Sequence, residues 1–476
     1  MVLGLLAAFP SLTMAQSREL IVNIQFDSQV SSNILVTPAI LKYNKEFAFS
    51  FTFDDARSDA YNLGFKLMNG GFSITDSATY PGLFYTDGCG NLVPFRAGIS
   101  WVTANTDSFD LHNYTPSYLT YSHARTLYDG GWDFFNHSYN HSANSPSIDY
   151  HWQLSANSEE IKAHAGIKFN ICVPPSGDSG YIEPAFDLGM LACISENDDF
   201  IGFNQGVDVT VPVPVTKPKY YRRGIDSDNF TALSLESDID QWVATTGNGR
   251  QKWWNEFTHR IDYNHISSSV EFPVFRAYLE YLEQKYGKPG NDHGWFAGSA
   301  EVFEYLLVRD KVAIHLEKNG SILSIHLDYS KVPETLRYND LSLIMKNAGN
   351  FQSVYSTSLL RFSQAQTSEG ILLNIKVPDS YFTKVENVVM STQAVIRCYP
   401  NPTSGTLYLT VPAGIADPRI VISGMSSSMM PQPAISISNG LICLDLRKSN
   451  YPQGVYAISV FSGKKLIGSS KVILNF

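Results

Sequence analysis

Thr52-Phe53-Asp54-Asp55 and His137-Ser-Tyr-Asn-His141 are the two segments of this sequence whose side chains could carry chemistry together. Two imidazoles at i and i+4 project from one side of a helical turn and can share one metal ion. A carboxylate from the acidic pair makes a third ligand and leaves a fourth position for water, the arrangement of a catalytic zinc site and not of a structural one. An ion held in this way lowers the pKa of water from about 15.7 toward about 7, and a free carboxylate beside it can take the proton. One aspartate of the pair would coordinate while its neighbour stays free. Each segment alone is weak, because paired aspartates at a strand end are more often solvated and an HxxxH pair is more often structural. Their meaning comes from the conjunction: both follow strand-like runs of what reads as one parallel sheet.

The elements that must position them are legible. Phe47 to Phe53 alternates strictly, with four phenylalanines on one face and Ala48, Ser50 and Thr52 on the other. That pattern suits a barrel strand, its rings packed outward on helices and its small side chains lining a crowded interior. Helical patterns follow at Ala56–Leu67, Ser117–Tyr128, Ser158–Ala165, Pro273–Tyr286 and from Ser299, alternating with short extended runs. Repeated β-then-α units over residues 16–310 imply a mostly parallel sheet or barrel with its chemistry at the strand C-terminal ends. After residue 310 the helical period stops. Short strand-like runs predict a small β-sandwich over 311–390, and a further boundary near Ser391 opens five more strand candidates through residue 476.

Composition narrows the partners. The 476 residues carry 35 Lys plus Arg against 45 Asp plus Glu, a net charge of -10, which argues against a nucleic-acid or anionic-membrane partner. An aromatic content of 13% suits a flat, uncharged ligand such as a sugar ring, although β-rich cores also use aromatics. Residues 1–15, MVLGLLAAFPSLTMA, read as a signal peptide without its basic start, and no later run has the ~20 apolar residues of a transmembrane segment. The five cysteines include no CxxC, which excludes a thiolate zinc ribbon. Cys172 with Cys193 and Cys398 with Cys443 could pair in an oxidising compartment, but burial as small apolar residues is the better expectation.

TFDD followed by HSxxH resembles the first two motifs of the polysaccharide deacetylases, carbohydrate esterase family four, over about Lys45 to Asp310. The resemblance implies a distorted (β/α) barrel, with Asp54 as catalytic base and Asp55, His137 and His141 as ligands of a divalent metal. Zinc is the default for two imidazoles and a carboxylate, and cobalt, nickel or manganese would also bind. Cys172-Val-Pro-Pro-Ser-Gly177 is similar to the family's third motif, whose groove wall would be Pro174 and Pro175. Val173 stands where that motif has an arginine and Ser176 where it has an aromatic residue. Arg222 or Arg223 could supply the missing charge from another strand, and Asp226 is a candidate for the fourth-motif aspartate. Trp253-Trp-Asn-Glu-Phe-Thr-His259 resembles the fifth motif, which makes His259 the general acid, with His265 and His293 as rivals. Trp295 is expected to line the groove and stack on a sugar ring.

Tyr399-Pro-Asn-Pro-Thr-Ser-Gly405, with Gly454-Val-Tyr456 and Lys471-Val472, is similar to the sorting domain of the type IX secretion system of Bacteroidetes. That implies a β-sandwich over 391–476 and export to the cell surface or medium through that machinery. The combined expectation is a secreted deacetylase that removes N- or O-acetyl groups from a polysaccharide or oligosaccharide. The alternative is a surface glycan-binding protein whose deacetylase-like domain is catalytically impaired.

Overall fold

The computed structural model describes residues 18–106, 117–226, 230–246, 251–263, 269–356, 358, 360–378 and 382. Of the C-terminal region it describes 397–399, 403–410, 418–424, 434–438, 441–446, 453–462 and 465–475. The leader-like segment 1–15 and His265 lie outside the described residues.

The strand Phe47–Phe53 is central, and every residue in it is buried. Its rings meet one helix, Phe272–Tyr286, with Phe47 on Tyr286 at 5.3 Å, Phe49 on Tyr278 at 6.2 Å and Phe51 on Phe275 at 5.0 Å. On the opposite face Ser50 Oγ accepts from Trp253 Nε1 at 2.9 Å, so the alternation separates an outer aromatic layer from a polar interior. This strand pairs in parallel with Lys252–Thr258 along its length, with Gly294–Phe296 at its start and with Gly98–Trp101 at its end. The parallel sheet continues through Asp133–Asn136, Ile171–Cys172, Ala192–Ser195 and Lys219–Tyr221. Past one intervening residue, Arg222, the strand Arg223–Gly224 pairs in parallel with Lys252–Thr258. The result is a mixed α/β fold whose sheet nearly closes into a barrel, with Arg222 at the seam.

The helix expected from Ser158 begins earlier, at Tyr150, where Asp149 caps it by accepting from the Trp152 N–H. Ser299 opens the helix Ser299–Lys311 without capping it; its Oγ donates to Asn255 Oδ1 at 2.9 Å.

The expectation that the barrel domain starts at residue 16 is corrected. Glu19–Phe26 pairs antiparallel with Ile322–Asp328 and Phe351–Tyr355, and Leu35–Pro38 with Leu341–Lys346. These two early strands complete two four-stranded antiparallel sheets with the segment after residue 312. The reason is the burial period of two in Glu19–Phe26, which aligns Leu20, Val22 and Ile24 with the buried Leu323, Ile325 and Leu327 of the paired strand. A buried lysine ties these sheets to the barrel: Lys42 Nζ lies 2.7 Å from Glu301 and 2.8 Å from Asp340.

Residues 384–476 form a separate compact unit. Arg397–Tyr399, Thr406–Thr410, Leu441–Asp445 and Ala434–Ser438 make one antiparallel sheet, and Pro418–Gly424, Gly454–Ser462 and Lys465–Leu474 another. Their shared core includes Leu407, Leu409, Ile420, Ile422, Ile458 and Val460. Cys172 and Cys193 face each other across adjacent parallel strands as buried free thiols, and Cys443 is free as well. No helix among the described residues is long and apolar enough to cross a membrane.

Candidate active site

Parallel register assembles the site. Phe53 lies beside Thr258 in the ladder, and the next bond is donated by Asp54 N–H to Thr258 O at 2.9 Å. His137 N–H donates to Trp101 O at 3.1 Å, Val173 N–H to Asn136 O at 2.9 Å and Arg222 N–H to Ser195 O at 2.9 Å. Each bond carries a ladder one residue past its strand, which brings Asp54, His137, Val173, Arg222 and His259 to the same C-terminal rim.

Asp55 Oδ1 lies 3.4 Å from His141 Nε2 and 3.8 Å from His137 Nε2, and the three donor atoms are all within 4.8 Å of one another. Tetrahedral ligation at about 2.0–2.1 Å sets donor atoms about 3.3 Å apart, and the two sides of the triangle that meet at Asp55 lie within about 0.5 Å of that spacing. Asp55 Oδ1 and His137 Nε2 are buried and have no hydrogen-bond partner, a costly state for atoms aimed at one another unless a cation lies between them. His137 Nδ1 is 2.6 Å from the Val173 carbonyl, which assigns the ring proton to Nδ1 and leaves the Nε2 lone pair for an ion. Burial lowers the His137 pKa and keeps the imidazole neutral, as a ligand must be.

The two histidines do not share a helical turn, which corrects the i, i+4 expectation. Ser138 and His141 have φ of 67° and 59°, and the segment folds back as an irregular loop. His141 N–H donates to Ser138 Oγ at 2.9 Å, while Tyr139 and Asn140 N–H both donate to Gln153 Oε1. Asp55 is also left-handed, at φ 65°. Non-glycine residues pay for that conformation, and here it falls on two of the three donor residues.

Asp54 is buried, and each of its oxygens accepts from Arg222 at 2.7 Å. Burial alone would raise its carboxyl; the Arg222 charge and its hydrogen bonds instead hold it well below the usual carboxylate range. His259 Nδ1 is 2.5 Å from Asp226 Oδ2, and the His259 N–H and Thr258 hydroxyl both donate to Asp226 Oδ1. Burial works against the charged imidazole, but the Asp226 hydrogen bond and the Asp54 charge outweigh it and raise the pKa to about 9. At neutral pH His259 therefore carries a proton on each nitrogen, Nδ1 fixed by Asp226.

The other candidates go elsewhere. Trp295 is fully buried, pairs beside Ala48 near the start of the central strand and packs on Tyr305 at 5.5 Å, so it belongs to the barrel core and lines no groove. Pro174 and Pro175 are buried too, which corrects their reading as a groove wall; they shape the turn that aims the Val173 carbonyl at His137, and Ser176 is the exposed residue there. His293 sits at the opposite end of the barrel, its carbonyl bonded to Glu46 N–H ahead of the central strand. Arg223 pairs with Glu256 and Asp238, away from Asp54. Glu196, unmarked in the sequence, has an oxygen 3.3 Å from Arg222 Nη2; its position directly after the strand Ala192–Ser195 was the available signal.

No protein-family model and no curated protein matches the chain. Solved structures that align with part of it include Streptococcus pyogenes deacetylase PplD in complex with acetate, at 17% identity over 31% of this chain and 55% of that one, TM-score 0.23. BA3943, a CE4 family pseudoenzyme from Bacillus anthracis, aligns at 13% identity over 54% of this chain and 66% of its own, TM-score 0.30. A family 4 acetyl xylan esterase from Clostridium thermocellum in complex with a cobalt ion aligns at 12% identity over 54% and 90%, TM-score 0.30. This chain thus spans little more than half of the first and just under two thirds of the second. Alignments at these scores add no weight to either function.

Proposed function

We propose that this protein is a secreted, metal-dependent deacetylase that hydrolyses N- or O-acetyl groups of a polysaccharide and releases acetate. The observation that carries the reading is the convergence, on one rim, of the donor triangle Asp55, His137 and His141 with the pairs Asp54–Arg222 and His259–Asp226. The triangle would hold a divalent cation, zinc by default, whose Lewis acidity acidifies a water and draws charge from an acyl oxygen. Asp54, ionised and fixed by Arg222, accepts the proton of the attacking water. The Gly177 and Asp178 N–H groups are bonded within the turn, which leaves the Ser176 N–H as the donor that would add oxyanion stabilisation. His259 then delivers its Nε2 proton to the departing amine or alcohol, while Asp226 keeps the ring oriented.

Export is supported by the leader-like start and by the resemblance of residues 391–476 to a type IX sorting domain, read as a β-sandwich. The glycan-binding alternative drew its support from the absence of an arginine at Val173, and Arg222 on Asp54 weakens that support. The test is acetate release from acetylated xylo- and chito-oligosaccharides, with and without chelator, by the native chain and by Asp54→Ala. Chelator-sensitive release that Asp54→Ala abolishes is expected. No release from any substrate, or release indifferent to chelator, overturns the proposal.

A further inference from the structure

The loop that bears His137 and His141 also bears Tyr139, and the Tyr139 ring meets Trp152 at 5.1 Å between centroids, with 54° between planes. Trp152 lies in the first turn of the helix Tyr150–Ala165 and is 49% exposed. Trp101, Trp132, Trp253 and Trp295 are all fully buried, so an indole left half in water is an exception in this fold. The helix does not use it for packing: the buried face is made by Gln153, Leu154, Asn157 and Ile161. That face contributes instead the Gln153 Oε1 that accepts from Tyr139 and Asn140, which locks the aromatic pair to the loop of the donor histidines. Tyr139 is two residues from each of them, at most about 7.6 Å from Cα to Cα.

The loop side of the pair is uncharged, while on the helix side the exposed Asp149 accepts from the Trp152 N–H. From Ser138 to Ser147 the chain contains no Lys, Arg, Asp or Glu, and its polar side chains, His141 apart, are serines and asparagines, with Asn140 and Ser147 exposed. Half-exposed aromatic rings beside uncharged hydrogen-bonding groups complement a pyranose, whose C–H face is apolar and whose edge is hydroxylic.

We propose that Tyr139 and Trp152 form a stacking platform for a sugar ring of a neutral glycan, in a subsite next to the one that holds the acetylated unit. The proposal rests on the deacetylase reading for its substrate, and extends it: chain length is sensed at this platform, and polyanionic glycans are not its ligands.

The experiment uses the full chain, stripped of metal so that binding is read without turnover. Dimeric and pentameric acetylated chito- and xylo-oligosaccharides are titrated calorimetrically into the native protein, Trp152→Ala and Trp152→Phe, and KM and kcat are then measured with metal restored. Trp152→Ala is expected to weaken pentamer binding and raise its KM about tenfold, leaving dimer binding and kcat unchanged, while Trp152→Phe retains most of the native affinity. Equal pentamer affinity for the native protein and Trp152→Ala, or no pentamer binding by the native protein, overturns the platform. Binding that depends on Trp152 without any acetate release sinks the deacetylase reading and supports the platform. Acetate release with pentamer affinity unchanged in Trp152→Ala does the reverse.

Discussion

Arg222 grips both carboxylate oxygens of Asp54, 168 residues earlier in the chain, from the seam where the barrel sheet passes from one strand to the next. Both side chains are buried, and the guanidinium also lies 3.8 Å from the centre of the Phe257 ring. The segment Cys172–Gly177 contributes differently: Val173 offers its backbone carbonyl to His137. Orienting the proposed base and orienting the proposed ligand are thus divided between two segments.

Removing Arg222 should strand a buried carboxylate. For Arg222→Ala we expect a stability loss of about 3–5 kcal/mol in urea unfolding, the usual outcome when one partner of a buried pair is deleted. Acetate release should fall on the order of 100-fold or more with it. Arg222→Lys should recover part of the stability and little of the rate, because an ammonium cannot reproduce the two-pronged fork.

Base and ligand should separate by metal content. Asp54→Asn is expected to keep about one ion per chain while losing activity by roughly 100- to 10,000-fold. Asp55→Ala and His141→Ala should lose the ion itself, since each removes one corner of a three-donor set. Elemental analysis after dialysis distinguishes the two classes; an Asp54→Asn chain without metal would reassign Asp54 as a ligand.

The alkaline limb of the rate profile should report His259. Its pKa is raised to about 9, so the proton it donates is present below that value and activity declines as pH rises through it. By the same sign, the stability contributed by its pairing with Asp226 is complete below the ordinary imidazole range and fades toward pH 9. Asp226→Asn removes the hydrogen bond that opposes burial, and the limb should move to lower pH in acetate-release profiles.

Acid should loosen the contact between barrel and early strands through Glu301. Burial would raise this carboxyl, but the charges of Lys42 and then Arg96 hold it at about 2. A depressed carboxylate stabilises above its unfolded value and loses that contribution as pH falls toward its folded one. Between pH of about 4.5 and 2 this group alone accounts for about 3 kcal/mol. Glu301→Gln should be less stable at neutral pH and show a flatter acid limb when unfolding is followed against pH.

The parts legible in the sequence were those whose signal is local. The alternation of Phe47 to Phe53 fixed a strand and its outer face, because the side-chain period is a property of the extended backbone. The acidic pair and the two histidines stood out by residue type. Two of the readings that failed asked a local pattern for a distant answer. Trp295 has the composition of a stacking residue, yet its position beside Ala48 near the start of the central strand puts it under the barrel and away from the rim. Glu19 to Phe26 precedes the barrel and was joined to it, but its apolar face is matched by Ile322–Asp328, about 300 residues later.

What the chain determined alone is an inventory of candidate donors, a candidate base, a candidate acid and the strands that carry them. Which arginine meets Asp54, which carbonyl orients His137 and which carboxylate holds His259 were decided only on folding, by parallel registers that align strand ends far apart in sequence. A one-residue change of register moves a side chain to the opposite face of the sheet. Such registers are fixed by the packing of the whole barrel, and no single segment encodes them.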